Sequence, residues 1–171
     1  GLGDVYKRQG CYSNLKNIYN TTTYQIFTQQ GTDVFTQNYP TEVAAMNQYT
    51  TTYQSNNGTI YAMWSSYFNA LNNVNAAIDR SKSVILKTDD PDGIEPSALT
   101  QLVAEAKALR AWYLFEIVRN WGQGPLKINE SKEPSYTVEY SNGAAFYQQI
   151  FTDLEEAISV LPWRQTGSNY G

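Results

Sequence analysis

Apolar residues recur at helical spacing in a long stretch between residues 102 and 118, where neither Gly nor Pro interrupts the chain. One set of positions, separated by four, three, four and four, shares a single helix face: Leu102, Ala106, Leu109, Tyr113 and Ile117. A second set widens that face beyond half the circumference: Ala108, Trp112, Phe115 and Val118. A helix this broadly apolar has to be covered on two sides, so the pattern predicts a helix inside an array. Gly122 and Gly124 are predicted to end it, and Pro125 to prevent its resumption.

Two further long helices follow from the same periodicity. One is predicted to begin after Asn57 and to run to about Ser83 or Ile85, with its stripe at Trp64, Phe68, Leu71, Val74 and Ile78. The other is predicted to be capped by Ser141 or Asn142 and ended by Pro162. Its expected buried face comprises Phe146, Ile150, Leu154, Ala157 and Leu161. A weaker pattern predicts a helix from Gly10 to about Gln30, closed by Gly31.

The segments between these helices indicate turns and one long polar loop. Residues 88–93, TDDPDG, predict a turn, and Ser97 is the expected N-cap of the helix that follows. The same residues do not fit a calcium loop, because the twelfth position would be Leu99 where a bidentate Glu is needed. Residues 31–57 are rich in Thr, Gln, Asn and Tyr. A polar, aromatic-bearing loop on a rigid helical scaffold is a common place for ligand recognition.

Several side chains of the helices invite a specific prediction. Trp64, Trp112 and Trp121 lie on helical stripes or at a helix end, which favours core packing over sugar stacking. Glu105, Lys107 and Arg110 are predicted to form ion pairs between helices. Arg110 facing Asp153 would be a sensible pair.

Composition limits the classes of function. The net charge is −4, with no basic run outside residues 4–9, so nucleic-acid binding is excluded. No stretch approaches the roughly 20 apolar residues of a membrane-spanning helix. Histidine is absent and Cys11, predicted to be a small core residue, is the single cysteine, so no metal or other cofactor is predicted. The 14 tyrosines and the charged content of 16% are typical of a surface that contacts polar, uncharged ligands. They are equally typical of an extracytoplasmic protein.

The segment from Glu105 to Leu126, EAKALRAWYLFEIVRNWGQGPL, resembles the central signature of SusD/RagB-like proteins, a helix of the type E-A-x-x-L-R-A-x-x-Y-F that ends in G-x-x-P-L. Three other blocks resemble the family in the expected order: Gly10 to Leu15, Trp64 to Ile78, and Phe146 to Pro162. The resemblance implies an all-α fold of antiparallel helix pairs, similar to tetratricopeptide (TPR) repeats, with long loop insertions. Strict 34-residue periodicity is not visible in the sequence.

The same resemblance implies a function. SusD/RagB-like proteins are lipid-anchored on the bacterial outer membrane, bind glycans or other nutrients without catalysis, and deliver them to a SusC-like TonB-dependent transporter. The expected ligand contacts lie in the polar loop: Asp33, Phe35, Asn38, Tyr39, Tyr49, Tyr53 and Asn56. Ordinary surface or packing roles remain the alternative for each. A TPR-like scaffold that binds a peptide or protein is the alternative function. An enzyme is disfavoured because no histidine and no nucleophile motif is present.

The two ends of the sequence carry their own expectations. Residues 4–9, DVYKRQ, are what a transposon end used in sequencing libraries gives on translation, so residues 1–9 are expected to be non-native. Residues 10–171 are expected to be the N-terminal part of a single SusD-like helical domain. A signal peptide and a lipidated cysteine would then lie upstream of Gly10.

Overall fold

A computed structural model describes residues 2–33, 58–133 and 137–163, without the side chains of residues 2–9 and 11. Five α-helices are described: α1 Leu2–Tyr19, α2 Thr22–Gln29, α3 Gly58–Ser81, α4 Pro96–Trp121 and α5 Gly143–Val160. Over the described residues the remaining structure is turns, irregular segments and two isolated β-bridges, Leu86–Ile94 and Gly124–Ser141. The all-α prediction is therefore confirmed for this part of the chain. Two compact units are present, residues 12–70 and residues 1–11 together with 71–171.

The N-terminal region differs from the predicted single helix between Gly10 and Gln30. It forms two helices, because Thr21 interrupts the ladder and caps the second helix: its Oγ1 accepts from the Tyr24 N–H at 3.1 Å and donates to the Ile18 carbonyl at 2.8 Å. A capping side chain offers the backbone an alternative to continued helix. Gly31, at φ 82°, follows α2 as predicted. Residues 2–9 belong to α1, and their origin in a sequencing adapter stays a prediction.

The long helices begin and end close to the predicted positions. Helix α3 stops at Ser81, two to four residues short of the predicted end. The prediction of Ser97 as the cap of α4 is wrong: Glu95 is the N-cap residue and Pro96 occupies the first turn, where its missing N–H costs nothing. For α5 the cap is Asn142, whose Oδ1 accepts from the Ala145 N–H at 3.1 Å. The turn before α4 closes through the Lys87 N–H and the Ile94 carbonyl at 2.9 Å.

Helices α4 and α5 pack antiparallel. Lys107 pairs with Glu156 and Arg110 with Asp153, while Val118 lies against Gly143. Residue numbers therefore rise along α4 while those of the contacting residues on α5 fall. The predicted stripe of α4 is buried throughout, with the largest shielded side chain at Tyr113. Phe146, Ile150 and Ala157 are its buried counterparts on α5. This confirms one antiparallel helix pair of the expected type.

Two predicted core positions are wrong. Trp112 is 45% exposed, and Leu154 is 36% exposed, while the neighbouring Asp153 is 1% exposed. Each of these helices has a wide apolar arc, and periodicity alone does not tell which part of the arc a neighbour covers. Trp64 and Trp121 are half-buried, and the Trp64 ring lies 4.5 Å from the Phe68 ring.

Candidate functional site

The predicted recognition loop is described only at its start. Asp33 is exposed and follows α2 in a turn, two residues beyond Gly31. The other predicted contacts lie outside the described residues: Phe35, Asn38, Tyr39, Tyr49, Tyr53 and Asn56. The loop's role in ligand binding therefore stays a prediction, and the described polar clusters and grooves lie elsewhere in the chain.

The most heavily bonded polar cluster surrounds Arg110 of α4. Its Nε and Nη2 donate to the two carboxylate oxygens of Asp153 at 2.7 and 2.6 Å, a bidentate pair with both side chains buried. Its Nη1 donates to the Ile128 carbonyl at 2.8 Å and to Asn75 Oδ1 at 3.3 Å. One guanidinium therefore connects α3, α4, α5 and the connector after α4. The planar fork of Arg suits this multiple role, whereas Lys would supply a single point charge.

Asparagines on α3 hold the same connector. The Asn75 side-chain amide donates to the Lys127 and Asn129 carbonyls at 3.1 and 3.3 Å. Asn72 forms a two-way pair with the Ser131 backbone, accepting at 2.7 Å and donating at 3.2 Å. Because the connector has no regular partner strand, these amides satisfy backbone groups that would otherwise be left to water. The cluster is thus a structural clamp that holds the connector against α3.

Charged residues extend the clamp toward the end of α3. Asp79 Oδ2 accepts from the Glu130 N–H at 2.7 Å, and this bond, with help from Lys82, lowers the pKa of Asp79. Arg80 pairs with Glu130, which lowers the pKa of the Glu130 carboxyl and raises that of the guanidinium. Arg80 is largely exposed, so this ion pair contributes little to stability.

A groove of about 500 Å³ lies beside this charged edge. Its floor is small or apolar, and its rim is polar. The lining includes Ala76, Ala77, Leu99, Leu102, Asn73 and Arg80. No aromatic ring lines it among the described residues, so it lacks the flat apolar surface on which a sugar ring stacks. The groove was not predicted from the sequence, because its lining comes from α3, α4, the turn between them and the connector after α4, which lie far apart along the chain.

Sequence reasoning anticipated the Arg110–Asp153 pair and missed the asparagine clamp. The available signal was the spacing of Asn72 and Asn75, three residues apart on a helix and therefore on one face. Their partners are main-chain atoms more than fifty residues away, and the sequence has no pattern that marks them. Glu105, predicted to form an ion pair between helices, is buried in α4.

An antiparallel helix pair whose connector is hydrogen-bonded to a third helix defines a helical scaffold. Residues 8–168 match the SusD-like family described as "Starch-binding associating with outer membrane". The chain belongs to this family.

Solved structures agree with that assignment at the level of the fold. A SusD superfamily protein from Bacteroides vulgatus superimposes with a TM-score of 0.77 at 22% identity, covering 95% of this chain and 35% of its own. A laminarin-binding SusD-like protein gives 0.70 at 22% identity, covering 95% and 34%. A SusD-like protein from Bacteroides fragilis gives 0.71 at 20% identity, covering 98% and 31%. This chain thus spans about a third of the length of these proteins. No curated protein sequence matches it significantly.

None of the described helices has the length and apolar character needed to cross a membrane. Within residues 2–33, 58–133 and 137–163, no group of three or more His, Cys, Asp or Glu side chains is placed to hold a metal ion.

Proposed function

We propose that this chain is part of a non-catalytic glycan-binding protein of the bacterial cell surface. The observation that carries the proposal is the family match over residues 8–168, since that family is the starch-binding, outer-membrane-associated kind. A solved structure with the same fold is a laminarin-binding protein, which supports a glycan as the ligand class. We further propose a lipid anchor on the outer membrane and delivery of the ligand to a SusC-like TonB-dependent transporter.

The proposed binding mode is stacking of sugar rings on aromatic side chains, with amides and carboxylates bonded to the hydroxyls. The loop that follows Asp33 offers both kinds of group: Phe35, Asn38, Tyr39, Tyr49, Tyr53 and Asn56. Sugars present an apolar C–H face and a rim of hydroxyls, so neutral aromatic and amide groups suit them. The composition of the loop agrees with this: Asp33 and Glu42 are its charged side chains between residues 31 and 57.

Isothermal titration of the protein with starch oligosaccharides, laminarin and a panel of plant, host and microbial glycans tests the proposal. We expect binding to at least one glycan, and we expect Tyr53→Ala to weaken it by about tenfold, equivalent to about 1.4 kcal/mol. Tyr140→Ala is the matched control, because Tyr140 is an exposed tyrosine outside the loop. Folded protein that binds nothing across the panel would contradict glycan binding. Equal losses for both variants would contradict the loop assignment alone.

Transport partnership needs a separate measurement. We expect a TonB-dependent transporter gene directly upstream, and we expect the two proteins to co-purify from detergent-solubilised outer membranes. A glycan-binding protein that never co-purifies with such a transporter would keep the ligand proposal and remove the delivery step.

A further inference from the structure

An exposed tryptophan of α4 lies beside a second aromatic ring and a guanidinium. Trp112 is 45% exposed, and its ring centroid lies 6.3 Å from that of Phe115, with the two planes inclined at 46°. The guanidinium carbon of Arg119 lies 5.6 Å from the centroid of the Phe115 ring. The three residues are separated by three and four positions, so they share one face of the helix. We call Trp112, Phe115 and Arg119 the α4 cluster.

The α4 cluster lies on a side of the helix that does not face α5. Arg110 and Val118 are contact residues for α5. At 100° per residue the cluster lies about a third of a turn away from them. Single apolar side chains are common on protein surfaces. Here an indole, a phenyl ring and a guanidinium are grouped within about two helical turns, which is a combination suited to recognition.

The guanidinium of Arg119 is held in place from two directions. Its Nη2 donates to the Glu116 carboxylate at 2.8 Å, with the Glu116 side chain 2% exposed and that of Arg119 49% exposed. The Phe115 ring adds a cation–π contact. Among the residues that the structure describes, Glu116 is its one hydrogen-bond partner. A guanidinium has five N–H donors, so Arg119 presents further donors to solvent beside the rings.

We propose that the α4 cluster binds a sugar ring of a neutral glucan, in addition to the contacts proposed for the loop that follows Asp33. The exposed indole offers a flat apolar surface to the C–H face of the sugar, and the guanidinium of Arg119 donates to a hydroxyl. The Glu116 carboxylate balances the charge of Arg119, which favours a neutral sugar over an acidic one. This inference rests on the proposed glycan-binding function. The glucan class is supported by the starch-binding description of the family and by the laminarin-binding protein of the same fold.

Fluorine NMR of the protein expressed from the complete reading frame and labelled with 5-fluorotryptophan tests the proposal. The resonance of Trp112 is identified by its loss in Trp112→Phe. Maltoheptaose and laminarin are titrated as neutral glucans, and polygalacturonate is the acidic comparison. A soluble gadolinium chelate reports whether the indole is exposed before glycan is added, and isothermal titration gives the affinity of each variant.

We expect at least one of the two glucans to bind and to shift the Trp112 resonance. Trp112→Ala should weaken binding by about threefold to tenfold, and Arg119→Met by about threefold. Trp112→Phe keeps an aromatic ring and should recover most of the affinity. Trp163→Ala is the matched control, because Trp163 is 103% exposed, lies after α5 and is outside the cluster. It should bind as wild type does, and all four variants should melt within a few degrees of wild type.

Four results would overturn the site. If the Trp112 resonance stays unmoved while calorimetry shows glucan binding, the site is wrong and the proposed function stands. Protection of the resonance from the chelate before glycan is added would show that the rest of the protein or a second copy covers the indole. Tighter binding of polygalacturonate than of either glucan would contradict the neutral ligand. Binding of neither glucan would remove the site, and the wider glycan panel would then decide the proposed function separately.

Discussion

Replacement of Arg110 by Met tests whether the clamp around this residue holds the helices together. The substitution removes both bonds to Asp153 and the bonds to Asn75 and the Ile128 carbonyl. It leaves the Asp153 carboxylate, which is 1% exposed, with the Gln149 amide at 3.1 Å as a remaining donor. A buried charge deprived of its partner costs several times more than the pair contributes, because the carboxylate has lost water without compensation.

The expected magnitude follows from that imbalance. Breaking a buried ion pair by removing one partner costs about 3–5 kcal/mol. For a chain of this length that corresponds to a fall of about 6–20 °C in the melting temperature. The double variant Arg110→Met, Asp153→Leu should recover at least about 2 kcal/mol of the loss, since it leaves no unpaired carboxylate at position 153. Recovery should be incomplete, because the Ile128 carbonyl still lacks its donor.

Urea denaturation followed by circular dichroism measures the wild type, the single variants Arg110→Met and Asp153→Leu, and the double variant. Lys87→Met is the control, because it breaks an exposed pair with Glu95 and should leave the urea midpoint nearly unchanged. A midpoint for Arg110→Met as close to wild type as that of the control would refute the reasoning. So would a double variant whose loss equals the sum of the two single losses, because the two charges would then not be coupled.

Three smaller predictions concern the turns and helix ends. Asn142→Ala removes the α5 cap and should cost about 1 kcal/mol, whereas Asn142→Ser should stay near wild type in a thermal melt. Gly93→Ala places a Cβ 2.5 Å from the Leu86 carbonyl. It should lower stability by about 1–3 kcal/mol, and an unchanged melting temperature would contradict that crowding. Asp79 has a lowered pKa through the Glu130 N–H, so its contribution is complete above the unfolded-state value of 3.8 and is lost as pH falls through the lower folded value. Urea midpoints of wild type and Asp79→Asn should therefore converge on acidification, and a constant gap would count against the linkage.

Sequence periodicity predicted the three long helices well. The apolar stripe of α4 lies within seventeen consecutive residues, so its helical spacing can be read without knowing which helices lie next to it. Arg110 and Asp153 could be named as a sensible pair from the sequence, but only the structure places them together, in a buried bidentate contact. Thr21 was harder, because a β-branched hydroxyl residue can lie within a weak helix or cap a new one.

The failures share one cause, which is that local patterns carry no information about distant neighbours. Trp112 and Leu154 lie on apolar arcs whose covered side depends on where other helices run. Asn75 bonds to main-chain carbonyl groups of the connector. Every residue carries such a carbonyl group, so the sequence does not mark which ones Asn75 meets. The 500 Å³ groove likewise is lined by residues from two helices and from the connector, which the sequence does not show to be neighbours.

The stability of the helices and the affinity for a glycan should therefore respond to different substitutions. The clamp around Arg110 acts through buried charges, so its loss lowers the folded population without touching a ligand. Tyr53 lies in the predicted recognition loop, where a side chain that stacks on sugar is expected to affect affinity more than stability. Measured per folded molecule, Arg110→Met should bind glycan as wild type does, while Tyr53→Ala should melt as wild type does and bind more weakly. If instead Arg110→Met weakened binding in fully folded protein, the clamp would be part of the recognition surface, and the division between a scaffold and its loops would be wrong for this protein.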